Sequence, residues 1–255
     1  MSLDFDSARL ANPDLRAEHE AWREQLRRFV DRELAPYAEA WDEAGEMPAQ
    51  LWPVAAAVGL IGLGYPEQFG GTSEGVDIWH KNILNEELAR LGVGGVSANL
   101  MVHNIGLPPV VNFAPEALKQ EVVTAVLSGT QRISLCVTEP GAGSDVAQLA
   151  TTAERDGDHY VVNGSKTYIT GGMHASWYTT AVRTGGAGAK GVSALLIPAA
   201  SEGLSRTALD RKQGWWASDT ATIYFDKVRV PVGNLLGEEN QGCLLYTSPS
   251  PRDRS

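Results

Sequence analysis

The chain has 255 residues, 43% of them apolar, and a formal net charge of −10 that comes from 21 basic and 31 acidic side chains. This length allows one or two domains with a sizeable core, and the composition is that of a globular chain. The acidic balance argues against nucleic acid or an anionic membrane surface as a main partner.

The sequence has no apolar run of about 18 residues, and its first residues lack the basic and apolar parts of a signal peptide. We therefore expect a cytoplasmic protein. The two cysteines, Cys136 and Cys243, form no CxxC pair, and the histidines show no metal-ligand spacing. Neither a disulfide nor a metal site is predicted.

The first half of the chain has the pattern of helices. Apolar side chains recur every three or four residues over 15–41, which predicts an amphipathic helix that Pro36 kinks or ends. Further helices are predicted at 48–58, 76–91, 94–104 and 115–127. We expect Glu86, Glu87 and Arg90 to be charges on a solvent-exposed helix face.

The pattern changes near residue 129, and short β-type runs follow at 132–138, 151–155, 159–162, 166–170, 177–183, 191–197, 204–208 and 221–230. Asp156-Gly157 and Asn163-Gly164 are typical of two-residue hairpin turns. Residues 185–191 are glycine-rich and are expected to form a hairpin loop rather than a phosphate-binding loop. The fold class predicted is multidomain α + β, an all-α domain followed by an antiparallel β-barrel or sandwich domain.

The segment Cys136-Val-Thr-Glu-Pro-Gly-Ala-Gly-Ser-Asp145 combines a buried strand with a sharp turn. Pro140 removes a backbone donor, and Gly141 and Gly143 allow a ligand to approach the main chain. The exposed N–H groups could hold flavin or phosphate oxygens. A plain β-turn is the alternative. A dinucleotide-binding turn is excluded, because the third glycine position holds Val146 and hairpins follow instead of a helix.

Together with Asn163-Gly-Ser-Lys166 and Tyr168-Ile-Thr170, this segment resembles the acyl-CoA dehydrogenase family of flavoproteins. Further matching stretches extend the resemblance over residues 14–242: Pro66-Glu-Gln-Phe-Gly-Gly71, Glu86-Glu-Leu-Ala-Arg90, Ser218-Asp-Thr220 and Phe225-Asp-Lys-Val-Arg-Val-Pro231. Gln148 departs from the family pattern, which usually has a small residue there.

The resemblance implies an all-α N-terminal domain over 1–130 and a β-barrel middle domain over 131–242, with the family's C-terminal four-helix bundle absent. Residues 243–255 do not continue the family pattern, and two prolines in three residues exclude the helix expected next. We interpret this tail as translated adapter sequence, with a genuine disordered terminus as the alternative.

The reaction implied is α,β-dehydrogenation of acyl-CoA thioesters to 2-enoyl-CoA, in fatty-acid or branched-chain acyl catabolism. FAD is the implied cofactor, electron-transfer flavoprotein the electron acceptor, and a homotetramer or homodimer the assembly of the complete protein. Two alternatives stay open, since a fold does not determine a function. One is a flavin oxidase or monooxygenase, and the other is a non-catalytic two-domain protein that binds acyl-CoA.

The resemblance also implies eight cofactor-binding positions: Leu135, Val137, Thr138, Gly143, Ser144, Tyr168, Ile169 and Thr170. The main chain of Leu135 and Val137 and the hydroxyl of Thr138 are expected along the flavin edge. Tyr168 stands where the family often has Trp, Thr170 is expected near the flavin N5, and Ser144 is also expected to bind acyl-CoA.

Glu139 lies within the same motif, but the resemblance gives it a structural role in the turn. The catalytic base and the acyl-binding arginine are expected in the missing C-terminal domain, so no catalytic residue is predicted here. The pair Trp215 and Trp216 is expected to anchor that domain, with a stacking surface for the substrate as the alternative.

Overall fold

A computed structural model describes residues 3–210 and 212–245, without the side chains of 244 and 245. Most of the tail that was interpreted as adapter sequence, residues 246–255, lies outside these residues. No helix in the described ranges is both long enough and apolar enough to cross a membrane.

The first half of the chain is helical, as predicted. Its helices are α1 (Ala17–Phe29), α2 (Ala38–Ala44), α3 (Leu51–Ala57), α4 (Ile78–Ala89), α5 (Gly94–Leu100), α6 (His103–Gly106), α7 (Pro108–Phe113) and α8 (Glu116–Leu127). A π-helical stretch, Val30–Leu34, extends α1, and the helical run ends next to Pro36, which confirms the predicted break. The helix predicted at 94–104 is divided into α5 and the start of α6, and the short helix α7 was not predicted. Pro108 begins α7, where its missing N–H is not needed.

The second half forms one eight-stranded sheet in the order β6-β7-β3-β2-β4-β5-β8, with β1 beside β4. The strands are β1 (Ile133–Cys136), β2 (Thr152–Asp156), β3 (His159–Thr170), β4 (Trp177–Arg183), β5 (Val192–Pro198), β6 (Leu204–Ala208), β7 (Thr220–Pro231) and β8 (Leu235–Leu236). This confirms the fold class, a helical part followed by a sheet part. The sheet is mixed rather than purely antiparallel, because β1 and β2 both pair with β4 in parallel. Alternation of apolar residues identifies a strand but not the direction of its partner.

One predicted hairpin is confirmed and the other is wrong. The hairpin predicted at Asp156-Gly157 joins β2 to β3, but its two-residue turn is Gly157-Asp158, because Asp156 still pairs with His159. Asn163-Gly164 does not turn the chain, because β3 continues through it with a register shift against β7. Gly164 has a φ of 144°, and a Cβ on it would lie 2.6 Å from the Thr151 Oγ1. A glycine at an unusual φ serves a β-bulge as well as a turn, so the residue types alone do not distinguish them.

The described residues form two compact units, and each unit is built from three separate segments of the chain. The helical unit contains residues 3–103, 123–131 and 210–219, and the sheet unit contains 104–122, 132–209 and 220–245. The 210–219 loop belongs to the helical unit, where Asp42 accepts from the Ala217 N–H (2.8 Å) and Asn99 donates to the Ala217 carbonyl (2.9 Å). Trp215 and Trp216 in this loop are 61% and 46% exposed. The domain ranges 1–130 and 131–242 stay a prediction.

The charges expected on a solvent-exposed face of α4 are largely buried. Glu87 is only 1% exposed, and its carboxylate accepts from Arg27 (2.9 and 3.1 Å), Arg90 (3.0 Å) and Arg23 (3.4 Å). The expectation was therefore wrong for Glu87 and Arg90, while Glu86 is exposed. Arginines of α1 reach this carboxylate because α1 packs along α4, a tertiary contact that helix periodicity cannot indicate.

His103 is a second buried polar side chain of the helical unit. Its Nε2–H donates to the Ile61 carbonyl (2.9 Å), and its Nδ1 has no partner in the described part of the chain. Burial, partly offset by the hydrogen bond to the Ile61 carbonyl, lowers the pKa of His103 from 6.5 to about 4. The folded protein therefore keeps this imidazole neutral at pH values where the unfolded chain protonates it.

We expect the free energy of unfolding to fall as the pH drops from 6.5 to about 4, because the unfolded state then binds a proton that the folded state does not. His103 accounts for at most about 3 kcal/mol of this loss, which is absent above pH 6.5 and complete below about pH 4. His103→Gln, which keeps a donor but does not titrate, should remove this part of the slope. Urea unfolding at a series of pH values checks this, and an unchanged slope in the variant would contradict it.

Candidate functional site

Two hydrogen bonds to β3, one from β1 and one from the residues that follow it, bring the predicted site residues together. The Ser134 hydroxyl donates to the Thr170 carbonyl (2.8 Å), and the Thr167 N–H donates to the Thr138 carbonyl (2.9 Å). The end of β1 therefore runs beside the end of β3. As a result, residues 135–138 and 168–170 lie next to each other and form one surface, which we call the β1–β3 wall.

The wall residues differ in what they can offer a ligand. Leu135, Val137, Thr138 and Thr170 are half-buried, which leaves part of each open. The Ile169 side chain is buried in the core of the sheet unit, so only its main chain could contact a ligand. In the described part of the chain, the N–H and the hydroxyl of Thr138 have no hydrogen-bond partner. Thr138 therefore supplies two unused polar groups at the wall.

Tyr168 provides the aromatic ring of the wall, and this residue is 64% exposed. It lies in a second bulge of β3, where the register against β7 shifts between Lys166 and Ile169. Its φ of 59° lies in the left-handed region, which is unfavourable for a residue with a Cβ. The bulge turns the ring out of the sheet, and strain of this kind is frequent where side chains are held for function.

The loop after β1 is closed by a tight turn and is open at its tip. The Glu139 N–H donates to the Ala142 carbonyl (2.8 Å), and the Ala142 N–H donates to the Glu139 carbonyl (3.2 Å). A Cβ placed on Gly141 or Gly143 would meet nothing within 4 Å. Packing within the chain thus gives no reason for glycine here, whereas close approach of a ligand does. Ser144 is exposed at the same tip.

A buried ion pair holds this loop from behind. The Glu139 carboxylate accepts from Lys166 Nζ (2.7 Å) and from the N–H groups of Ala150 (2.6 Å) and Thr151 (2.9 Å). Lys166 Nζ also donates to the Val137 carbonyl (3.0 Å). These bonds confirm the expected structural role of Glu139. Lys166 received no role from the sequence, although a lysine between the apolar positions of a buried strand was a usable signal.

Electrostatics favour the ionised form of Glu139. Burial acts to raise its pKa, but the hydrogen bonds from Lys166, Thr151 and Ala150 hold the pKa of this carboxyl below its usual range. Burial lowers the pKa of Lys166, and the neighbouring carboxylate opposes that effect. The Glu139 carboxylate is therefore committed to the loop and is a poor candidate for a base.

In the described ranges, one group of side chains brings possible metal ligands together: His19, Asp77 and His80. His19 Nδ1 accepts from the Arg16 N–H (2.9 Å), so the ring proton is on Nε2, which donates to the Asp77 carboxylate (3.1 Å). In this tautomer neither nitrogen of His19 has a lone pair free for a metal. Asp77 also caps α4, and despite burial its bonds with His80 hold its pKa at about 2. These contacts explain the group as paired helix caps.

Two family models match the chain. The model described as acyl-CoA dehydrogenase, N-terminal domain, matches residues 16–130, and the one described as acyl-CoA dehydrogenase, middle domain, matches residues 134–228. The second match contains the β1–β3 wall and its loop.

Similar proteins carry related names. The mitochondrial isobutyryl-CoA dehydrogenase of Dictyostelium discoideum is 36% identical, over 85% of this chain and 52% of that protein. A solved structure of a probable acyl-CoA dehydrogenase from Mycobacterium abscessus is 47% identical, with a TM-score of 0.86, over 90% of this chain and 61% of that one. A glutaryl-CoA dehydrogenase from Mycobacterium smegmatis, solved in complex with FADH2, is 26% identical, with a TM-score of 0.83, over 94% of this chain and 59% of that one. The chain thus spans about half to three fifths of the length of these relatives.

We expect Tyr168→Gly to be more stable than Tyr168→Ala by about 1 kcal/mol, because glycine adopts the left-handed conformation without a Cβ clash. Tyr224 is the matched control, an exposed tyrosine on β7 without a positive φ. There, alanine should be more stable than glycine. Urea unfolding of the four variants measures both differences. The same order of stability at both positions would contradict strain at Tyr168.

Proposed function

Because the chain belongs to the acyl-CoA dehydrogenase family, we propose that it is the N-terminal and middle part of a flavoprotein that oxidises acyl-CoA thioesters to 2-enoyl-CoA. The observation that carries this proposal is the β1–β3 wall. It sets unused polar groups of Thr138 beside an exposed and strained Tyr168.

The residues present fit the ring system of FAD. A flavin ring needs a flat apolar contact and hydrogen-bond partners along its edge, and these are what Tyr168 and Thr138 offer. The glycines at the loop tip leave room for a ligand that the chain itself does not fill. When bound, FAD supplies the acceptor for the hydride that leaves the substrate.

The residues of this chain would bind and orient. The main chain of residues 135–138 and the hydroxyls of Thr138 and Thr170 would hold the ring edge, and Tyr168 would pack by the ring. Ile169 would take part through its main chain. Gly143 and Ser144, at the loop tip, would lie where the cofactor and the acyl-CoA are both held.

Both acidic side chains of the loop make structural hydrogen bonds, and we propose neither as the base that removes the α-proton. The Glu139 carboxylate is occupied by Lys166, Ala150 and Thr151. Asp145 accepts from the Ala147 N–H (3.2 Å), which caps the next turn. We therefore propose that the base and the acyl-binding arginine lie in a part of the complete protein that the 255-residue chain does not contain.

The complete protein, produced with its native downstream sequence, should purify with FAD, and its flavin absorbance should bleach on anaerobic addition of an acyl-CoA. Thr138→Val should weaken FAD binding about three- to tenfold by removing one hydrogen bond, whereas the matched control Thr138→Ser should bind nearly as wild type. Residues 1–255 alone should give no turnover. A complete protein that holds no flavin, or turnover by the 255-residue chain alone, would contradict the proposal.

Further measurements on the same complete protein test its acyl specificity and its electron acceptor. Branched, straight-chain and dicarboxylic acyl-CoAs form the substrate panel, since relatives named for isobutyryl-CoA and glutaryl-CoA are similar to this chain. Rapid peroxide formation when the reduced protein meets air would favour the oxidase alternative. Electron-transfer flavoprotein as acceptor, a homotetramer or homodimer, and a cytoplasmic location stay predictions.

A further inference from the structure

Lys166 is a fully buried cation placed directly behind the proposed flavin-binding wall. Its Nζ has two partners, the Glu139 carboxylate at 2.7 Å and the Val137 carbonyl at 3.0 Å. None of its surface is exposed, so it cannot itself touch a ligand at the open face. Any effect it has on a ligand must pass through these two partners.

The Val137 carbonyl and the Thr138 N–H belong to the same peptide group. One end of that group is bound by an ammonium cation, and the other end has no partner in the described part of the chain. A cation at a carbonyl oxygen draws electron density from the amide nitrogen, which makes the N–H a stronger hydrogen-bond donor. This polarisation is larger in a buried environment than in water.

We propose that Lys166 is a positioning residue that strengthens the Thr138 N–H as a donor to the flavin, and that Glu139 sets how strongly this charge acts. The proposal rests on the flavin-binding function proposed above. Reduction adds negative charge to the flavin ring, and a stronger donor at its edge stabilises that charge. A net positive charge on the pair should therefore raise the reduction potential of the bound cofactor, and a net negative charge should lower it.

A purely mechanical role and an electrostatic role predict different outcomes. If the pair only holds the loop, removing either partner loosens the same contacts and should shift the potential in the same direction. If the charge acts on the flavin, the two removals oppose each other. Lys166→Met leaves an uncompensated carboxylate behind the wall, and Glu139→Gln leaves an uncompensated ammonium.

The test is the two-electron reduction potential of FAD in the complete protein, measured by equilibration with reference dyes. Lys166→Met should lower the potential, Glu139→Gln should raise it, and the double variant should lie near wild type. A tenfold change in the relative affinity for reduced over oxidised flavin corresponds to about 30 mV. Lys190→Met is the matched control, because it removes an exposed lysine from the 185–191 loop and should leave the potential unchanged. Shifts of the same sign in both single variants, or no shift in either, would overturn the proposal.

A second measurement needs no flavin and covers the case in which Lys166→Met fails to fold. In the 255-residue chain, the NMR shift of the Thr138 amide proton reports how strongly the peptide is polarised. Glu139→Gln should move it downfield, and Lys166→Met, if folded, should move it upfield. An unchanged shift in folded Glu139→Gln would contradict the polarisation. Absence of FAD from the complete wild-type protein would instead contradict the proposed function, so the two failures are distinguishable.

Discussion

The ion pair between Glu139 and Lys166 is the constraint on which the candidate site depends. The carboxylate binds the start of β2 through Thr151 and the middle of β3 through Lys166, while its own backbone closes the turn with Ala142. Three segments that are distant in sequence are thus fixed at one buried point. Moving the loop would separate Glu139 from Lys166 and leave a buried charge unpaired, which is strongly unfavourable. The groups that hold the loop lie behind it, and its front is left for binding.

Two bulges in β3 make this division between back and front possible. Without them, strict alternation would place every second side chain of the strand on one face. The shifts on either side of Lys166 interrupt that alternation, so that Lys166 and Thr167 are both buried while Tyr168 is turned outward. Irregular strand geometry therefore supports both the buried cation and the exposed ring. A regular strand of the same length would have placed one of them on the wrong face.

The sequence predicted the features that depend on neighbouring residues, and it did not predict those that depend on distant partners. The helical periodicity of residues 15–41, the strand that ends at Cys136 and the hairpin around Gly157 depend on near neighbours, and all three appear in the structure. The Asn163-Gly164 bulge, the parallel pairing of β1 and the burial of Glu87 depend on partners many residues away. Side-chain chemistry at the site was accessible for Glu139, whose motif is distinctive. It was missed for Lys166, because its partner Glu139 lies 27 residues away in the sequence and the lysine was not considered as a buried strand residue.

The two compact units have a consequence for how this protein can be divided. The chain passes between them five times, near residues 103, 122, 131, 209 and 219. A break at any single position therefore separates segments that belong to the same unit. A single genetic crossover near residue 130 between two relatives would combine the helical unit of one parent with the 210–219 loop of the other, and the sheet unit of one parent with residues 104–122 of the other. Recombination among relatives should be tolerated best when the 104–122 and 210–219 segments are inherited with the units that they complete.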